Sequence, residues 1–302
     1  MQKISLKVFE KMTSAGLSGL EIDFLLEIGK KQDISGCVRG VYYRDLTEEL
    51  HCSIQQFYNL LHSLSAKKII SYTKATYYDY DVVILDNDFS GEDSYRQGYI
   101  SLNKGLFRKK FRELKANEKL LAMELFRRQD TQYRKIKKPS LCFKLETMMQ
   151  SFTKFLGVTA RVLKRYLKAL KDYFSIGIKD GYYYITPLKA TYSRDEEAPT
   201  DDQIYSRNEV KAVCRRNRIE EGSAEALKET ASYIQQYACL AHDAGLDVVE
   251  VVTSCILRSV DKTYQTFRAR ERKLEPLLIH KLIRMEILPN LPAHDDTDVT
   301  TS

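Results

Sequence analysis

The sequence predicts a mainly α-helical protein with small β segments, divided into three parts. Gly and Pro are sparse, 13 and 6 in 302 residues, which favours helix over extended loop. Apolar residues recur at helical spacing in each third of the chain. Two polar, acidic stretches, residues 86–98 (DNDFSGEDSYRQG) and 190–203 (ATYSRDEEAPTDDQ), interrupt that periodicity and read as linkers or exposed loops. They leave parts at 1–90, 99–190 and 204–288, with residues 289–302 (PNLPAHDDTDVTTS) as a frayed tail.

In the first part the spacing predicts helices over 21–31, 43–50 and 53–67, then a Tyr-rich, β-prone segment over 71–85. The second part follows the same plan, with helices over 117–128, 146–156 and 159–172 and a β-prone segment over 174–186. An offset of 106 residues sets Leu50 against Leu156, Ser53 against Thr159, Leu61 against Leu167 and Leu64 against Leu170. This is a repeat of architecture rather than a close duplication. The third part reads as helices over 224–241, 247–267 and 274–287, with caps or breakers near Gly245 and Pro276.

Charge is distributed unevenly. Residues 1–100 hold 11 Lys/Arg against 14 Asp/Glu, residues 101–190 hold 22 against 7, and residues 191–302 hold 15 against 20. The basic excess lies wholly in the central part, a distribution that marks a polyanion-binding surface. Six cysteines without a CxxC pair read as reduced, mostly buried thiols of a cytosolic protein. The N-terminus (MQKISLKVFEKM) lacks the apolar stretch of a signal peptide. The most apolar run, 248–260, is interrupted by Glu250 and Arg258 and is too short to cross a bilayer. A cytoplasmic protein without membrane partners is therefore expected.

The chemistry concentrates at residues 152–170 (FTKFLGVTARVLKRYLKAL). Gly157 sits where a turn needs a positive φ, and Thr159 stands ready to cap the next helix. Along that helix Leu163, Tyr166, Leu167 and Leu170 form one stripe at helical spacing. Arg161, Lys164, Arg165 and Lys168 form another. Of these four cations only Lys168 has an acidic residue four positions away, Asp172, whereas a merely solvated helix more often alternates its signs. The DNA major groove supplies anions, and Arg or Lys also reads guanine there. The stretch resembles the helix-turn-helix core of bacterial winged-helix proteins, LAxxLGVSxxTVxRxLxxL, with Phe152, Leu156, Val158, Leu163, Leu167 and Leu170 at its apolar positions. The resemblance implies two winged-helix domains followed by a helical C-terminal domain for oligomerisation or partner binding.

Around this core, residues 177–186 (GIKDGYYYIT) predict a short hairpin in the wing position, turning at Asp180-Gly181 and presenting Lys179. Clusters at 104–115 (KGLFRKKFRELK) and 127–138 (RRQDTQYRKIKK) suit phosphates, through Lys109, Lys110, Arg134, Lys137 and Lys138. Phe107, Phe111 and Tyr133 read as anchors for local packing. In the first repeat His51 replaces the turn Gly, and Gln55, Tyr58, Asn59 and His62 occupy the recognition positions of a possible second DNA-reading helix. Its wing carries Asp79 and Asp81, which phosphate would repel, so dimerisation or protein contact is an equal reading of that domain.

No catalytic site, metal site or cofactor is expected. His51-Cys52 has no companions at ligand spacing, no GxxxxGK[ST] is present, and Tyr133, Tyr166, Tyr182, Tyr183 and Tyr184 read as core or wing packing rather than nucleophiles. Residues 99–122 (YISLNKGLFRKKFRELKANEKLLA) resemble the entry to the winged helix of plasmid and phage replication initiators. The expected role is thus non-enzymatic binding of double-stranded DNA in replication initiation of a plasmid, phage or mobile element, or in transcription regulation. A homodimer and a replication or transcription protein partner are expected with it. The alternative is a structural adaptor in chromosome or plasmid segregation.

Overall fold

The computed structural model describes residues 2–77, 79–91, 94–138, 140–188, 191, 200–267 and 272–292. The protein is mainly helical with small antiparallel sheets. It divides into two compact units, Met1–Asp201 and Asp202–Ser302. No helix among the described residues is long and apolar enough to cross a membrane.

The first unit opens with β1 (Lys3–Ser5) and α1 (Leu6–Ser14). The first repeat then runs α2 (Gly19–Gly29), β2 (Cys37–Tyr42), α3 (Tyr43–Leu50), α4 (Ile54–Ala66), β3 (Ile70–Lys74) and β4 (Asp79–Ile84). After β5 (Tyr99–Ser101) and the short α5 (Lys109–Arg112) the same order returns. It comprises α6 (Ala116–Ile136), β6 (Leu141–Lys144), α7 (Leu145–Leu156), α8 (Ala160–Ala169), β7 (Phe174–Lys179) and β8 (Tyr182–Pro187). Each repeat closes a three-stranded antiparallel sheet with its last strand in the centre, β2-β4-β3 and β6-β8-β7. The repeat is clearest at its turns. His51 and Gly157 both take left-handed backbone after the preceding helix, and Ser53 and Thr159 both cap the next.

Strand β1 and helix α1 lie outside the elements that the sequence predicts, and so do the leading strands β2 (CVRGVY) and β6 (LCFK). They are short, and a run of four to six residues carries little periodic signal. Residues 86–98, expected as a linker, instead pack on the first repeat. Asn87 is fully buried: its side chain accepts from Ser5 N–H at 2.6 Å and donates to the Lys3 carbonyl at 3.1 Å and to Gln32 Oε1 at 2.6 Å. Phe89 is buried against Tyr95 and Tyr99, and β5 then pairs with β1. Polar composition concealed this because one buried, fully bonded amide stands among exposed acids.

The two repeats share one continuous hydrophobic core. Helix α2 lies at its centre, buried along its whole length, including Glu21, Asp23 and Glu27. Each buried carboxylate has a cation. Lys67 reaches Glu21 at 2.6 Å, Lys119 of α6 reaches Asp23 at 2.6 Å, and Arg112 of α5 reaches Glu27 at 2.7 Å. At Glu21 burial acts to raise the pKa, but hydrogen bonds from Lys67, Ser63 and Ser18 outweigh it and bring the group to about 2. At the Asp23–Lys119 pair burial dominates, pushing the carboxyl up and the ammonium down against their mutual attraction. Asp23 Oδ1 finds no hydrogen-bond partner. Such a pair adds little net stability while leaving each member dependent on the other.

The second unit contains α9 (Asp201–Arg216), α10 (Ala224–Gln236), α11 (Ala238–Asp243), α12 (Val248–Phe267) and α13 (Pro276–Ile287) around its own core. Helix α9 starts inside the stretch expected as a linker, and Tyr237 breaks the helix expected over 224–241 in two. Pro276 opens α13 rather than breaking it, since the first helical position needs no N–H. Residues 192–199 of the expected linker and 293–302 of the expected tail lie outside the described residues. The cysteines are not mostly buried: Cys214 and Cys255 are, Cys37 and Cys52 are half-buried, and Cys142 and Cys239 are exposed.

Replacing Lys119 by Ala should strand Asp23 inside the core and lower the unfolding free energy by about 3–5 kcal/mol. The double variant Asp23→Leu/Lys119→Met should recover most of that loss. Urea denaturation of the three proteins measures both effects.

Candidate nucleic-acid interface

Helix α7 ends at Leu156, and Gly157 follows at φ +64°, reversing the chain without a Cβ penalty. The Thr159 hydroxyl then accepts from Val162 N–H at 3.5 Å and starts α8. On α8 the apolar stripe is buried as the spacing predicts: Leu163, Tyr166, Leu167 and Leu170. Arg161, Lys164, Arg165 and Lys168 are all exposed, and among the described residues none of them forms a salt bridge. Arg165 lies 5.8 Å from the Tyr166 ring. Exposed Ala160 and Ala169 flank the four cations, so small side chains border the charged face.

The β7–β8 hairpin turns at Asp180 and Gly181, with φ of +51° and +78°, the backbone of a two-residue hairpin turn. Lys179 is exposed beside it, and the Gly181 carbonyl accepts from Leu145 N–H at 2.9 Å, tying the turn to the start of α7.

The flanking basic clusters separate into engaged and exposed cations. Lys109 is exposed, and Lys110 pairs with Asp172 just beyond α8 at 2.9 Å. Both partners of that pair are exposed, so it contributes little and exchanges readily. Arg127 and Arg128 both bind the buried Glu124, Arg112 binds Glu27, and Lys119 binds Asp23. These four belong to the architecture. The end of α6 carries exposed Arg134, Lys137 and Lys138. Arg134 lies over the Tyr99 ring at 4.8 Å, and Lys137 lies 5.5 Å from the Tyr133 ring. This basic end is thus anchored toward Tyr99 rather than joined to α8. Of the three aromatic anchors expected here, Phe111 is buried and Phe107 is half-buried under Lys30 at 4.5 Å. Tyr133 is half exposed and anchors no core.

In the first repeat Gln55 donates to Asn59 at 3.0 Å, and His62 shares a hydrogen bond with the Tyr72 hydroxyl at 2.8 Å. Tyr58 is half-buried, edge-on to Phe57 and Tyr80. The four candidate readers of α4 therefore have partners within their own repeat. Asp79 is fully buried and accepts from the Thr76 hydroxyl at 2.7 Å, and Asp81 accepts from Gly40 N–H at 3.0 Å. These two carboxylates cap backbone and turn rather than face a phosphate, which corrects their reading as a repulsive wing.

Two further groups escaped sequence reasoning. Tyr182 and Tyr184 are exposed by about 40 %, not packed, while Tyr166 and Tyr183 are buried. Lys144 stands on the same sheet face as Tyr182. The alternation of β8 (YYYITP) carried this signal, since Tyr183 and Ile185 point one way and Tyr182 and Tyr184 the other. Compared with known proteins, the chain matches no family model, no curated protein and no solved structure.

Exchanging Gly157 for Ala should lower the unfolding free energy by about 1–2 kcal/mol through its left-handed backbone. Thr159→Ala should lower it by about 1 kcal/mol through loss of the cap. Chemical denaturation reads each change.

Proposed function

We propose that the protein binds double-stranded DNA through its second repeat, acting as a winged helix-turn-helix with α8 in the major groove. The observation that carries this reading is the exposed face of α8, four cations that form no salt bridge among the described residues, behind a turn built on Gly157. The order helix–strand–helix–helix–strand–strand with its central last strand suits a winged helix, as does the two-residue hairpin beside α8. Lys179 then approaches phosphates from the hairpin, Lys109 and Lys110 from beyond α8, and Arg134, Lys137 and Lys138 from the end of α6.

The first repeat acts as a buttress in this reading. Its buried acids hold Lys119 and Arg112, and the polar groups on α4 are paired with one another or with Tyr72. The second unit supplies the contact with a second copy or with a replication or transcription protein. Control of replication or transcription at chosen DNA sites is the role such an assembly serves.

Binding of a labelled duplex should fall roughly a hundredfold or more between about 50 and 200 mM salt. The variant Arg161→Ala/Lys164→Ala/Arg165→Ala/Lys168→Ala should lose most of that affinity. Its salt slope should be shallower by about 3–4, and its circular dichroism should be unchanged because all four residues are exposed. Fluorescence anisotropy measures affinity and slope together. Binding indifferent to salt, or intact in the variant, would sink the proposal.

A further inference from the structure

The central sheet of the second repeat has one face in the core and one outside it. Leu141, Tyr183 and Ile185 enter the core that also receives Leu163 and Leu167 of α8. The opposite face points away from that core and is ordered in rows by the strand register. One row reads Lys144, Tyr182, Lys179 across β6, β8 and β7, and the next reads Cys142, Tyr184, Gly177. In the third, Thr186 stands opposite Ser175 and shares a hydrogen bond with Ser140 at 2.7 Å.

Two features of this face lack an internal explanation. Tyr182 and Tyr184 stand on the central strand yet are 41 % and 40 % exposed, two rings side by side at a spacing of about 7 Å along the strand. Gly177 is weakly suited to the interior of β7, where it forgoes both backbone order and a side-chain contact. Its φ is not positive, and a Cβ placed there would have no neighbour within 4 Å. Neither backbone conformation nor packing demands a glycine here, and the sheet is left bare beside Tyr184. Lys144 and Lys179 flank Tyr182 on both sides; Lys144 makes a 4.0 Å solvent-exposed ion pair with Glu146, two residues on, and Asp180 follows Lys179, so both lysines stay open to solvent.

We propose that this outer face is a second nucleic-acid site, which takes unpaired DNA bases on Tyr182 and Tyr184 and the adjoining phosphates on Lys144 and Lys179. Aromatic rings between cations are the recurring means of holding a single strand, because every base offers a ring face once it leaves the duplex. In a duplex those faces are covered by neighbouring base pairs, so the two tyrosines discriminate against paired DNA. Gly177 leaves room for a base to lie flat over Tyr184. The inference rests on the reading above only in taking DNA as the nucleic acid. It assigns a different face, sharing only Lys179 with the duplex contact, and a different DNA form, so that one chain contacts a duplex through α8 and an opened strand through its sheet.

The test titrates full-length protein against a labelled oligothymidylate of roughly 16 nucleotides and against a duplex of equal length. Tyr182→Ala/Tyr184→Ala should weaken single-strand binding at least tenfold and leave duplex binding within about twofold. Tyr182→Phe/Tyr184→Phe should bind the single strand like wild type, since the ring and not the hydroxyl does the stacking. Gly177→Gln, which covers the face without removing a ring, should also weaken single-strand binding. The α8 quadruple variant should keep its tyrosine-dependent single-strand binding, so loss of duplex binding alone would count against α8 and not against this face. Absent single-strand binding, equal binding by the Ala and wild-type proteins, a Phe variant as weak as the Ala variant, or preference for the matching oligouridylate would each overturn the proposal.

Discussion

Asp23 and Lys119 meet at 2.6 Å inside the protein, and the arrangement of the first unit depends on that meeting. Helix α2 is buried on every side and carries three carboxylates into the core. Two are answered by residues beyond the first repeat, Asp23 by Lys119 and Glu27 by Arg112, with Lys30 also 3.6 Å from Glu27. A buried charge without its counter-ion costs several kcal/mol, so α2 has few alternative neighbours. Hydrophobic contact would hold α2 and α6 together in many registers, whereas these ion pairs select one. What they supply is specificity of docking more than net stability.

The same pairing sorts the basic residues of the central part. Arg112 and Lys119 are each paired with a buried acid, and Arg127 and Arg128 share a third, Glu124. The cations that remain on α8, on the hairpin and at the end of α6 face solvent. Internal ion pairs thus concentrate the available positive charge on fewer surfaces than composition suggests. An acidic first repeat beside a basic second one therefore expresses an internal contact.

The three-stranded sheet of the second repeat has two faces of different character. Its inner face closes the core beneath α8, and its outer face presents Tyr182 between two lysines and Tyr184 between Cys142 and Gly177. The strand period of two makes this division automatic, since consecutive tyrosines of the YYY run must point to opposite sides. Counting the run as uniform packing obscured the difference. Only the register with β6 and β7 shows that Lys144 and Lys179 flank the same ring.

By itself the sequence determined whatever is local. The helices of both repeats, apart from the part of α6 beyond residue 128, the glycine turn at 157, the Thr159 cap, the hairpin turn at Asp180-Gly181 and the cationic stripe of α8 all follow from φ preferences and from contacts within four residues. Each of these was legible before any partner was known. Tertiary structure alone decided which charges remain free, because Lys119 and Arg112 find acids far away in the chain, and one-dimensional spacing carries no record of that. It also decided that residues 86–98 pack rather than link, through the single amide of Asn87, and that Asp79 turns inward. The strands β2 and β6 were invisible for the same reason: four to six residues hold too little periodicity, and their hydrogen-bond partners lie in β4 and β8. A side chain's character is written locally, but its availability is set by what the fold brings against it.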